Sequence, residues 1–157
     1  MKDLKSMLER LAADVIKQAQ TELETPRRLE YTKTKVVANK VASGTLKKSL
    51  TADVREAGTT YQLVFGASVN YAKQVEEGTP VGTVVPVSAL VRWIQTRNID
   101  TSWTSSVASA AQVFSKAIER RGIDGAFYYR DAVDKVLPRY RQAIAATFGN
   151  DMIKIFE

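Results

Sequence analysis

Three groups of residues have types and spacings that could do chemistry. They are the adjacent acids Glu76 and Glu77, the acids Asp131 and Asp134 three positions apart, and Ser49 beside Lys47 and Lys48. On a helix, neighbouring side chains point about 100° apart, so Glu76 and Glu77 cannot share one proton or one substrate. Asp131 and Asp134 can share a face, but Arg130 and Lys135 flank them, and a solvated ion-paired face accounts for all four. No Ser-x-x-Lys pattern occurs at Ser49, where a surface helix turn explains the residues. The glycines form neither a G-x-x-x-x-G-K-[ST] nor a G-x-G-x-x-G phosphate cradle. The chain contains no histidine and no cysteine. That excludes Ser-His-Asp, Cys-His and zinc-hydrolase chemistry, a disulfide framework and thiolate metal sites. The expectation is a protein that is not an enzyme and has no catalytic, cofactor or metal site.

The charge distribution is more informative. Between Pro26 and Lys48 stand seven basic residues, Arg27, Arg28, Lys33, Lys35, Lys40, Lys47 and Lys48, against the single acid Glu30. This stretch carries +6, the net charge of the entire chain. It reads either as a solvated loop kept soluble by its lysines or as a contact for a polyanion. Tyr31 is its only ring, so any nucleic-acid contact would be electrostatic and independent of sequence, without a ladder for base stacking. No apolar run approaches the roughly 20 residues of a membrane span. Asp3, Glu9 and Asp14 interrupt any signal-peptide core, and folding in a cytoplasm is expected.

The elements that would position these residues follow from periodicity. Leu4, Met7, Leu8, Leu11, Val15, Ile16, Ala19 and Leu23 recur every three or four positions and predict an amphipathic helix ended by Thr25-Pro26. Residues 26–42 lack a period and read as a flexible basic loop. A short helical turn capped by Ser43 or Thr45 leads into two strands, Thr51 to Glu56 and Thr60 to Ala67, flanking Ala57-Gly58-Thr59. Asn70 should cap a short helix closed by Gly78. Thr79 to Pro86 reads as an exposed loop or edge strand, and Ser88 caps the next helix. Two further helices are expected, one from about Ser106 to Arg121 ended by Gly122 and one from about Ala126 to Phe148. Pro138 should kink the latter, Gly149-Asn150 should close it, and Met152, Ile153, Ile155 and Phe156 should form an apolar tail. The fold class is thus α+β: helices on a small antiparallel β-hairpin, one domain over 1–148 with a long basic loop, and a tail over 149–157. A sheet this small leaves edges open to another copy of the chain.

Two motifs carry a resemblance. Ser43, Gly44, Leu46, Ser49 and Leu50 make a Ser-Gly-x-Leu-x-x-Ser-Leu turn; beyond the hairpin, Tyr71, Ala72, Val75, Glu76, Gly78 and Thr79 make Tyr-Ala-x-x-Val-Glu-x-Gly-Thr. In order and spacing, together with the later Ile118-Glu119-Arg120-Arg121-Gly122-Ile123 stretch, the chain resembles the tail-completion proteins of long-tailed bacteriophages. These are also called head-tail joining, neck or minor tail proteins. The stretches Val81 to Trp93 and Asn98 to Ser106 depart from the pattern. The resemblance implies a structural virion protein, a homo-oligomer forming a ring, commonly a hexamer, at the head-tail junction. Its partners would be the head-side connector and the tail terminator or tail tube. Thr79, Pro80, Val81, Val84 and Val85, with Met152, Ile153, Ile155 and Phe156, would then contact subunits or neighbours, and the basic segment would face passing DNA. The alternative is a small sequence-independent nucleic-acid-binding protein.

Overall fold

The computed structural model describes residues 2–29, 36–38, 43–58 and 60–156, with side chains over 3–26, 43–58 and 60–149. Helix α1 (Lys2–Glu24) buries the stripe its spacing predicts, Leu4, Leu8, Leu11, Val15, Ala19 and Leu23. It packs along α6 (Tyr128–Phe156), whose Tyr128, Ala132 and Val136 follow one another at intervals of four. An apolar stripe of this kind, rather than helix propensity, is what holds a helix in water.

A five-residue helix, α2 (Thr45–Ser49), turns the chain into β3 (Leu50–Ala57), which pairs antiparallel with β4 (Thr60–Ala67) from Leu50 opposite Ala67 to Ala57 opposite Thr60. The hairpin turns its Val54, Tyr61, Leu63 and Phe65 toward the α1–α6 core, and α1 lies mainly over β3. Gly44, not Ser43 or Thr45, is the residue before α2, at φ +79°. Ser43 Oγ still accepts weakly from the Thr45 N–H at 3.4 Å.

Within the stretch expected as a loop, β1 (Arg27–Leu29) pairs with β2 (Val36–Ala38), Arg28 opposite Val37. Residues 30–35 and 39–42 lie outside the described ones. Helix α3 (Ala72–Glu77) runs into β5 (Gly78–Thr79), and α4 (Val87–Thr96) and α5 (Val107–Arg121) follow. Then β6 (Ile123–Asp124) returns to pair with β5. Among the described residues the chain is α+β: six helices around three small two-stranded ladders.

The apolar interior has two parts. The larger joins α1, α2, the hairpin, α3 and α6. The second gathers Leu90 and Ile94 of α4 with Ala110, Ala111 and Phe114 of α5. Trp93 and Trp103 both meet the Phe114 ring edge-on, at 5.7 and 6.0 Å.

Several local expectations are corrected. Tyr71 rather than Asn70 precedes α3, and Pro86 rather than Ser88 precedes α4; neither offers a side-chain cap. Proline suits the start of a helix because its fixed φ is already helical and its missing N–H would be unpaired there. Gly149-Asn150 does not end α6, which continues to Phe156 through Pro138 as well. A glycine inside a helix costs only about 1 kcal/mol, too little to stop one without a left-handed turn. Ser106 and Gly122 do bracket α5 as expected: Ser106 Oγ accepts from the Ser109 N–H at 3.1 Å, and Gly122 sits at φ +72°.

Candidate assembly interface

The second motif resolves into a clamp on the start of α6. Glu76, on α3, accepts hydrogen bonds from the N–H groups of Tyr129 at 3.0 Å and Arg130 at 3.1 Å, one to each carboxylate oxygen. These are donors a helix cannot satisfy internally, and an anion there also meets the positive end of the helix dipole. The main chain ties the same joint: Ala126 N–H donates to Val75 O at 2.7 Å and Phe127 N–H to Glu76 O at 3.0 Å. The following Gly78 has φ +82° because its backbone lies against Ile123 and Gly125; a Cβ there would sit 2.1 Å from the Ile123 carbonyl oxygen. Gly122 and Gly125 meet the α3–β5 main chain as closely from the other strand. Gly78 and Glu76 thus serve packing and capping within the chain.

Two tyrosines complete the joint. Tyr128 is buried and its hydroxyl donates to Ala72 O at 3.3 Å. The Tyr129 hydroxyl reaches Gly66 O at 2.7 Å and Thr51 O at 3.0 Å, pinning the base of the hairpin, while its ring meets that of Phe65 at a tilt, centroids 5.3 Å apart. Burial pushes both phenols up, Tyr129 to about 12, with the negative Glu76 adding to the effect.

Glu76, Glu77, Asp131, Ser49 and Lys47 all have structural partners. Glu76 and Glu77 diverge: the first caps α6, and the second pairs with Lys73 at 3.8 Å. Asp131 pairs with Arg130 at 3.0 Å. Ser49 Oγ donates to Leu46 O at 2.8 Å, and Lys47 is ion-paired with Glu24.

Of the basic set, Arg27 and Arg28 fall on β1, whose main chain alone is described, and Lys33, Lys35 and Lys40 lie outside the described residues. Lys47 spends its charge on Glu24. Lys48 is exposed and lines a shallow, open depression of about 300 Å³ with Ser43, Thr45, Ser49, Ser68 and Val69.

The 79–87 segment divides. Val81 and Val84 are 68% and 69% exposed, and Pro80 is exposed with its carbonyl taken by the Thr83 hydroxyl. Val85 turns inward onto the α4–α5 cluster, and its carbonyl accepts from Ser115 Oγ at 2.9 Å. Thr79 is held in the β5–β6 ladder, its Oγ1 buried without a hydrogen-bond partner. Met152, Ile153, Ile155 and Phe156 belong to the last turns of α6, with side chains outside the described set.

Sequence reasoning did not single out Trp103 as a surface residue. It is 55% exposed despite its edge contact with Phe114, and its indole N–H donates to Asp100 O at 3.0 Å. The carboxyl of Asp100 is held below the usual carboxylate range by hydrogen bonds from Ser102. Nor was Glu22 foreseen in the core: it is 4% exposed on α1, where Lys135 of α6 reaches it at 2.5 Å and Gln18 at 2.7 Å. No described helix is long and apolar enough to cross a membrane. Compared with family models, with curated proteins and with solved structures, the chain matches none.

Proposed function

We propose that the chain is a structural subunit of the ring that completes a phage tail and joins it to the head-side connector. The carrying observation is the clamp. The residues through which the chain resembles tail-completion proteins, above all Glu76 and Gly78, hold α3, β5, β6 and α6 together. Beyond that joint the 79–87 segment turns Val81 and Val84 to solvent. Exposed apolar side chains on a braced loop suit contact with a neighbouring protein better than chemistry on a small molecule. The ring would be a homo-oligomer, assembled in the host cytoplasm and carried into the virion. Its neighbours would be the connector and the tail terminator or tube.

Electron microscopy of the purified protein at high concentration, and of particles labelled with an antibody against it, tests the reading. Rings and label at the head-tail junction are expected. Label elsewhere on the particle, or none, would sink it.

The strand Arg27–Leu29 keeps alive the second reading, sequence-independent binding of nucleic acid, because it brings two arginines into a short ladder. In a ring the same segment would line the DNA channel. Changing Arg27, Arg28, Lys33 and Lys35 to glutamine should then lower infectivity while rings still form. Tight, salt-sensitive DNA binding by a protein that never forms rings would favour the second reading instead.

A further inference from the structure

The hairpin is a two-stranded sheet with no third strand among the described residues, so both its outer edges present main-chain donors and acceptors. Antiparallel ladders alternate, and the Ser68 N–H that donates to Ser49 O at 3.1 Å sets the phase. Continuing that alternation along the paired register turns the backbone groups of Leu63 and Phe65 away from β3, toward the open side of β4. On the other edge it turns those of Ala52 and Val54 outward.

The two edges are not alike. β3 carries Asp53, Arg55 and Glu56, the kind of charges that guard an edge against pairing. β4 reads Thr-Tyr-Gln-Leu-Val-Phe-Gly-Ala, eight residues without a charge, a proline or a lysine. An uncharged strand of this composition, left open, is an invitation to another strand. The inner row of β4 is also unfinished: Tyr61, Leu63 and Phe65 remain only half-buried because α1 lies mainly over β3.

We infer that β4 pairs with β3 of a second copy of this chain, extending the sheet from subunit to subunit. Each copy has one edge of each kind, so this pairing uses both and leaves none open once a ring closes. The register already present in the hairpin, carried across the boundary, sets Leu63 beside Val54 and Phe65 beside Ala52 on the inner face. On the outer face it sets Val64 beside Asp53 and Gln62 beside Arg55. Because β4 is uncharged, Asp53, Arg55 and Glu56 of the neighbour meet no like charge. A β3–β3 contact would bring those charges together, and a β4–β4 contact would leave both β3 edges unpaired. The neighbour's α1, carried over its own β3, would then help cover the half-buried row of β4. The inference rests on the reading of the chain as a self-assembling subunit and names the surface that does it.

The chain has no cysteine, so single introduced thiols report contacts cleanly. Across the proposed boundary Val64 and Asp53 form a non-hydrogen-bonded pair, with Cα atoms about 4.5 Å apart. Full-length Val64→Cys and Asp53→Cys proteins, mixed in equal amounts and oxidised at high concentration, should give the mixed disulfide well above the share of random pairing. Gln62→Cys with Arg55→Cys is the second pair, should either first variant lose its fold by circular dichroism. A predominance of Val64→Cys homodimers would overturn the inference in favour of two-fold β4–β4 pairing. Cross-linking no greater than that of Ser88→Cys on exposed α4 would overturn it altogether. Rings in the microscope without the mixed disulfide would remove the strand pairing and leave the ring reading standing.

Discussion

The two parts of the interior are built on different plans. Around α1 and α6, long helices bury a continuous stripe, and polar bonds stitch the pair at intervals. Tyr140 donates to Asp14 at 2.5 Å, Lys135 pairs with Glu22, and Tyr129 reaches both strands of the hairpin. The α4–α5 part has a small buried set around Phe114, and several of its large apolar side chains face water, among them Trp103, Val113, Val81 and Val84. The joint between the two is the clamp, where glycine backbones meet backbone and Glu76 caps α6. The first part buries its helix stripe and leaves only the inner row of β4 half-covered; the second is covered only along the side that faces its partner helix. Exposed apolar area beside a small core is what a docking element needs, and a long helix pair is what carries it.

The clamp offers the largest test of this division. Gly78→Ala would place a methyl 2.1 Å from the Ile123 oxygen and 2.6 Å from the Gly125 nitrogen, both main-chain atoms that cannot swing away. A loss of about 3 kcal/mol or more in urea unfolding is expected. Gly44→Ala is the control, since φ is +79° there but nothing lies within 4 Å; it should cost about 1 kcal/mol, the left-handed penalty alone. Equal losses at the two sites would show that β5 and β6 separate without cost, and the two parts would then be independent.

Truncations inside each part come next. Leu23→Ala in the helix pair and Phe114→Ala between α4 and α5 should each cost about 3 kcal/mol. Their distribution should differ. Leu23→Ala is expected to raise amide exchange throughout, because it weakens the global unit, whereas Phe114→Ala should raise it first in 87–121. Uniform exchange in both variants would make the interior one cooperative body and dissolve the comparison.

How much of this was legible depends on the range of the interaction. The stripe of α1, the Ser106 cap and Gly122 stop of α5, and the alternation of Tyr61, Leu63 and Phe65 are local patterns, and the structure keeps them. The β1–β2 ladder is too short for a period to show, and the still shorter β5–β6 ladder exists only because segments far apart in the chain approach, so no periodicity announces either. Glu76 offered a motif but not its task, since the N–H groups it caps are 53 and 54 positions away. Glu22 lies three positions after Ala19 on the apolar stripe, which hinted at burial, but its lysine is 113 residues distant. Exposure within the 79–87 segment is set by position in the fold in the same way. Neighbouring residues of an extended segment face opposite ways, so Val84 reaches solvent and Val85 the core, and only the position of α5 decides which.

The smallest effect on stability belongs to that pair of exposed valines. Val81→Ser with Val84→Ser removes apolar surface that is already in water, and single surface changes of this kind shift stability by no more than about 0.5 kcal/mol. If the α4–α5 part is a docking element, the same change should abolish or sharply reduce co-sedimentation with tails or connectors while the urea midpoint stays put. Val85→Ser supplies the opposite pattern. It places a hydroxyl against the α4–α5 cluster, so its first effect should be on the midpoint, with attachment falling only as the fold does. A double variant that still attaches normally would leave Val81 and Val84 as incidental exposure, and the surface that meets the neighbour would have to be sought on the hairpin edge instead.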